Sequence, residues 1–231
     1  MIEINNLDFK YKSNGNLIFN DLNLNIKKGE MVSIIGHNGV GKTTLLNLIN
    51  GYLIPNKGQI CIDKSIAKKR SEIFFLFDSG GFYNDMTVKE NLNFKRLALG
   101  QKTKYKWDND ELIVKFKMKK HLTKYCYELS SGLKKRLSLI LGIMSNPTMI
   151  LLDEPTNAID PETKVLLKGL LMDLKNNGKT IILVTHDLQF SYELSDRIII
   201  LNEGEIVCDE YINYEFDDFQ KKYFEYTEEN E

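Results

Sequence analysis

Residues 31–51 read Met31-VSIIGHNGVGKTTLLNLIN-Gly51, and the change of pattern inside this stretch decides the fold. Met31 to Ile35 is a short apolar run suited to a buried strand. It breaks at Gly36 and resumes at Lys42 as a helical pattern, with Leu45, Leu46, Leu48 and Ile49 mostly on one side. Between strand and helix lies Gly36-His37-Asn38-Gly39-Val40-Gly41-Lys42-Thr43, a full match to the phosphate-binding loop G-x-x-x-x-G-K-[ST] in the setting that motif requires. The glycines let the backbone curl so that successive N–H groups face phosphate oxygens, and the helix beginning near Lys42 adds its positive end. Lys42 is placed to reach the β- and γ-phosphates, Thr43 to offer a hydroxyl to a bridging magnesium ion, and Gly51 to close the helix.

Upstream, apolar and polar residues alternate through Ile2, Ile4, Leu7 and Phe9 and again through Leu22, Leu24 and Ile26, which predicts antiparallel strands with one wet face. Tyr11 falls in the hairpin region between them, either as strand packing or as an aromatic face for a planar base. Downstream come a short strand at Gly58 to Ile62 and an apolar run, Ile73 to Phe77, that ends in Asp78 before a Gly-Gly break. From Thr87, an N-cap with Glu90 completing a capping box, the chain is expected to be helical and polar as far as Tyr127. Its lysines, Lys102, Lys104, Lys106, Lys115, Lys117, Lys119, Lys120 and Lys124, form either a solvated face or a docking surface. Leu129-Ser130-Ser131-Gly132 opens a further helix, and Met149 to Leu152 is an apolar strand ending in Asp153-Glu154. A helix over about Pro161 to Lys175, a buried strand Thr180 to Val184 ending at His186, and a terminal hairpin follow. Such alternation implies an α/β fold with a mainly parallel sheet covered on both faces.

At 231 residues the chain forms one large domain or two close lobes, and buries roughly 70–75% of the surface its unfolded form exposes. A net charge of -1 argues against a general electrostatic affinity for nucleic acid, and no nucleic-acid partner is expected. Cys61, Cys126 and Cys208 are odd in number and far apart, which suggests buried reduced thiols and neither a disulfide framework nor a zinc site. No apolar run approaches the roughly 18 residues that span a bilayer, and the N-terminus lacks a signal pattern, so a cytoplasmic location is expected.

In open parallel sheets a ligand sits at the carboxyl ends of the strands, where this sequence places Gly36 to Thr43, Asp153-Glu154 and His186. Asp153 suits magnesium beside a phosphate loop, and Glu154 suits a general base that polarises a water for attack on the γ-phosphate. The sequence resembles the ATP-binding subunits of ABC transporters from Leu7 to about Cys208. The resemblance implies that Tyr11 stacks on adenine, that Gly36 to Thr43 with Thr44 is the Walker A loop binding ATP with Mg2+, and that Met149 to Glu154 is Walker B. It further makes Asn157 to Asp160 the D-loop, His186 the switch histidine at the γ-phosphate, and Ser130, Ser131 and Gly132 the core of the signature that grips nucleotide. The architecture implied is a P-loop NTPase core with N-terminal antiparallel strands and an inserted helical subdomain over about 82–146, a single domain over 1–209 and an acidic, aromatic tail over 210–231.

Two departures from the family pattern stand out. Ser131 and Leu133 replace a glycine and a glutamine of the signature, and Asp78 stands where the family usually has a coupling glutamine, so that it becomes a candidate metal ligand. Variants of this kind resemble subunits serving drug, bacteriocin or antimicrobial-peptide exporters and permeases. The partners implied are an integral membrane permease, holding the subunit at the inner face of the membrane, and a second cassette, identical or related. A soluble ABC ATPase serving a non-transport assembly is the alternative.

Overall fold

In a computed structural model describing residues 1–12, 15–76, 80–102 and 105–227, the alternating N-terminal segments form β1 (Ile2–Phe9) and β2 (Phe19–Ile26), paired antiparallel. The phosphate-loop stretch forms β3 (Met31–Ile35) and α1 (Lys42–Ile49), and the short strand after it is β4 (Lys57–Ile62). β4 pairs antiparallel with β1, giving a three-stranded sheet in the order β2-β1-β4. There follow β5 (Ile73–Leu76), α2 (Val88–Ala98), α3 (Glu111–Lys115), α4 (Ser131–Ile143), β6 (Met149–Asp153) and α5 (Pro161–Asn176). The chain continues through β7 (Thr180–Val184), α6 (Leu188–Leu194), β8 (Arg197–Asn202), β9 (Glu205–Tyr211) and α7 (Phe216–Thr227).

The second sheet has six strands in the order β5-β6-β7-β3-β8-β9, parallel throughout except for the β8–β9 hairpin. Its central strands are unbrokenly apolar because both faces are covered; every residue of β3 and β7 is buried. The period of two divides the core. Met149 and Leu151 face α1 and the three-stranded sheet, whereas Ile150 and Leu152 face α4, α5 and the helical lobe. The order of strands also decides where the chemistry goes. β6, β7 and β3 are consecutive neighbours, so their carboxyl ends bring Asp153, His186 and Gly36 to one rim of the sheet.

The capping box that opens α2 forms as expected: the Thr87 hydroxyl accepts from the Glu90 N–H at 3.2 Å, and the Glu90 carboxylate accepts from the Thr87 N–H at 2.7 Å. Beyond it the segment is less regular and less polar than expected. Two short helices and three single turns of 3-10 helix, at 107–109, 119–121 and 126–128, surround a buried interior of Trp107, Ile113, Phe116, Met118, Leu122 and Cys126. Lys115 and Lys117 do not present a free basic face, because they pair with Asp173 and Glu162 of α5; Lys104 lies outside the described residues. The stretch from Glu210, set apart by composition as a tail, completes β9 and then forms α7. Phe219 and Tyr223 of that helix are buried against Ile198, Ile200 and Cys208. Burial pushes the Cys208 thiol up to about 11, as suits a packed and unreactive sulfur, whereas Cys61 is exposed and departs from the expectation of burial.

Candidate functional site at the rim of the parallel sheet

Gly36 leaves β3 where a side chain has no room: a Cβ there would stand 2.2 Å from the Leu201 carbonyl oxygen. The loop then turns through Gly39 and Gly41 at φ 91° and 105° and enters α1 with no side-chain cap, so the first N–H groups of the helix are left for an anion. Lys42 is buried to 6% exposure and curls back over the loop, its Nζ donating to the carbonyls of Gly36 and His37 at 2.8 Å each. Burial lowers its pKa, against the pull of Glu154 and Asp153. A buried ammonium resting on neutral carbonyls gains by exchanging them for phosphate oxygens. Tyr11 lies beside this helix, 62% exposed, with its hydroxyl 3.0 Å from Thr44 Oγ1 and its ring edge-on to Phe9. Its ring is thereby open to solvent next to the phosphate loop and is not part of the core.

The neighbouring carboxylates of Asp153 and Glu154 are separated by backbone conformation. Asp153 ends β6 and accepts from Thr43 Oγ1 at 3.0 Å, which sets two hard oxygens together at the mouth of the loop. That donor set fits magnesium, which takes one or two protein oxygens and fills its shell with phosphates and water. Glu154 leaves the strand at φ 43°, held by its N–H to the Val184 carbonyl at 2.9 Å, in a region that non-glycine residues rarely occupy. The turn swings its carboxylate to His186, with Oε2 2.9 Å from Nδ1. One carboxylate thus faces the metal position and the next faces the histidine.

Ser130, Ser131 and Gly132 sit elsewhere. Ser130 is the N-cap of α4 and accepts from the Leu133 N–H at 3.3 Å, while Ser131 Oγ donates to the Ala158 carbonyl at 2.8 Å. A Cβ on Gly132 would stand 2.4 Å from Asp160 Oδ2, so glycine permits the close contact of α4 with the start of α5. Among the described residues no hydrogen bond of these three reaches the phosphate loop.

The sequence pattern of the family described as ABC transporter matches residues 19–157, more than half of the chain. The chain belongs to the ABC transporter family. It is 37% identical over 216 residues to the carnitine transport ATP-binding protein OpuCA of Listeria monocytogenes, a match covering 90% of this chain and 54% of that protein, so it spans about half the length of this relative. It is 36% identical over 231 residues to the tyrosine transport ATP-binding protein of Clostridioides difficile, covering 90% of this chain and 91% of that one. Among solved structures it resembles the dimeric post-hydrolysis state of the ATP-binding cassette MJ0796 bound to ADP and Pi. The TM-score is 0.78 at 29% identity, covering 93% of this chain and all of that one. The fold is the ABC ATPase fold.

Three features of this cassette escape a reading of motifs. Arg136, on α4, is buried and donates to Thr163 Oγ1 at 2.8 Å, to Glu162 Oε2 at 2.6 Å and to the Phe116 carbonyl at 3.3 Å, bracing the signature helix against α5 and the helical lobe. Asp160, also bonded to Arg136, caps α5; hydrogen bonds from Thr163 hold its carboxyl below the usual range. An arginine inside an otherwise apolar helical stripe was the available signal. The second is α7, whose Phe216, Phe219 and Tyr223 recur at helical spacing in a segment read only by composition. The third is the contact of α7 with His37, which no local pattern announces. Asp78 lies outside the described residues, so its expected part as a metal ligand is left to experiment.

Proposed function

We propose that this cassette binds ATP with Mg2+ and hydrolyses it, driving a transporter whose membrane pathway is a separate permease. The observation that carries the proposal is the convergence at one sheet rim of Lys42, of Thr43 with Asp153, and of Glu154 with His186. Bound magnesium would supply charge neutralisation at the β- and γ-phosphates. The chain's own residues do the rest. The loop from Gly36 to Thr44, with His37, Asn38, Gly39, Val40 and Gly41 offering backbone N–H groups, holds the phosphates; Lys42 adds its charge. Thr43 and Asp153 hold the metal, and Tyr11 offers its exposed ring to the adenine. Glu154 takes the proton from the attacking water as general base, and His186 fixes that carboxylate by hydrogen bonding.

Two cassettes close over two nucleotides, because Ser130 caps its own helix while Ser131 and Gly132 are tied to Ala158 and Asp160, and all three leave the phosphates of their own chain unserved from that side. A second copy, or a related chain, brings its α4 N-terminus across and excludes water. The permease docks in a groove of about 480 Å³ between the edge strand β5 and the lobe over about 82–146, lined by Tyr52, Phe74, Phe75, Lys95, Leu99 and Leu141. Among the described residues no helix is long and apolar enough to cross a membrane, and attachment at the inner face through the permease belongs to the same proposal. The relatives compared are named for transport of carnitine and tyrosine, and drug export is not among those names, which weighs against the exporter expectation.

Sedimentation of the Glu154→Gln protein tests the sandwich: a dimer with Mg-ATP and a monomer with ADP is expected. A monomer under saturating ATP, with or without the permease, overturns it.

A further inference from the structure

The last described turn of α7 packs on the phosphate loop. Two backbone carbonyls in the last described turn of α7 are bonded by side chains from other segments. Asn202, the last residue of β8, donates from Nδ2 to the Tyr226 carbonyl at 3.0 Å, and His37, in the phosphate loop, stands with Nε2 3.1 Å from the Thr227 carbonyl. The His37 ring also packs against Tyr223, centroids 6.0 Å apart, on the buried side of α7. Thr227 is itself 4% exposed, its hydroxyl donating back to the Tyr223 carbonyl at 2.7 Å, which fixes the turn that meets the loop.

The backbone carbonyl of that same His37 is one of the two acceptors on which Lys42 Nζ rests. Gly36 in turn lies flush against the Leu201 carbonyl, one residue before the Asn202 that clamps α7. Phosphate loop, β8 end and helix end therefore form one mechanical unit, built from segments 190 residues apart in the chain. The side chain of His37 fixes the loop's first turn, and the loop's first turn decides where Lys42 waits.

We infer that His37 is a positioning residue, through which the docked last turn of α7 holds the phosphate loop in its nucleotide-ready form. Nucleotide binding and α7 docking are then thermodynamically coupled, each favouring the other by the same factor. The inference rests on the nucleotide-binding proposal above.

The test uses the full chain, ADP carrying a fluorescent anthraniloyl label as the probe, and hydrogen exchange of residues 219–227 as a second readout. His37→Ala is expected to weaken ADP binding roughly three- to tenfold, the loss that follows from one hydrogen bond of ordinary net strength. His37→Gln, which keeps a donor at the same reach, is expected to recover most of it. Asn202→Ala, which touches α7 and not the loop, is expected to weaken binding in the parent and to add nothing in the His37→Ala background. ADP is expected to slow exchange in α7 of the parent and not of His37→Ala. Parental affinity in His37→Ala, a Gln variant as weak as the Ala variant, or additive effects of the two sites without ADP-dependent protection of α7 would each overturn the inference. Failure of the parent to bind the probe would overturn the nucleotide-binding proposal first, and this one with it.

Discussion

Two helix N-termini in this cassette, those of α1 and α4, are finished differently. The start of α1 has Gly41 at φ 105° and no side-chain cap, with a buried lysine folded over the loop and Thr43, Asp153 and Glu154 close by. The start of α4 has its own cap in Ser130, a glycine pressed on Asp160 and a buried arginine behind it. The first end has no side-chain cap and gathers a lysine, a hydroxyl and two carboxylates around it. The second is already satisfied within its own chain, which is what the two-cassette proposal asks of a surface presented to a partner's nucleotide. On the two-cassette proposal, a chain with one of each holds the parts of a site that two chains complete.

The largest expected effect falls at the first end. Glu154→Gln keeps the shape of the carboxylate but cannot accept a proton, so single-turnover ATP hydrolysis is expected to fall by roughly 100-fold or more with nucleotide affinity kept. Turnover at the parental rate would place the base on another residue. Lys42→Ala is expected to weaken ATP binding by about 100-fold, the worth of strong charge-assisted hydrogen bonds. Its melting temperature should stay within about 2 °C of the parent, because losing a desolvated charge offsets the lost packing. A binding isotherm and a thermal scan on one preparation check both halves.

At the second end the order of effects reverses, with stability moving and monomer nucleotide affinity staying still. Arg136→Met is expected to cost about 2 kcal/mol in denaturant unfolding, since Thr163 and the Phe116 carbonyl lose their donor while Asp160 and Glu162 keep access to water. It should also weaken ATP-driven dimerisation, measured by light scattering in the Glu154→Gln background. The smallest effect is that of Ser130→Ala, about 1 kcal/mol for a lost N-cap. If that variant impaired ADP binding by the isolated monomer, the contrast between the two ends would fail.

The phosphate loop was legible because its chemistry is local. Eight consecutive residues carry the glycines, the lysine and the hydroxyl, and a strand before and a helix after confirm the setting. The capping box at Thr87 and Glu90 was legible for the same reason, since a helix start is written within four residues. The parallel sheet could be inferred from unbroken apolar strands, which occur where both faces are covered. The helical lobe was read less well: its lysines dominate the composition, whereas Trp107, Phe116 and Met118, scattered without a period, make its core.

By itself, then, the sequence determined the phosphate loop, the strand-end carboxylates, the class of fold and the family. The tertiary structure alone decided that Glu154 turns from Asp153 toward His186, that Arg136 ties α4 to α5, and that α7 packs on His37. The physical reason is the same in each case. These contacts depend on backbone direction at one residue or on the meeting of segments far apart in the chain, and the order of the amino acids, even where it marks a residue such as Arg136, does not name the partner it meets.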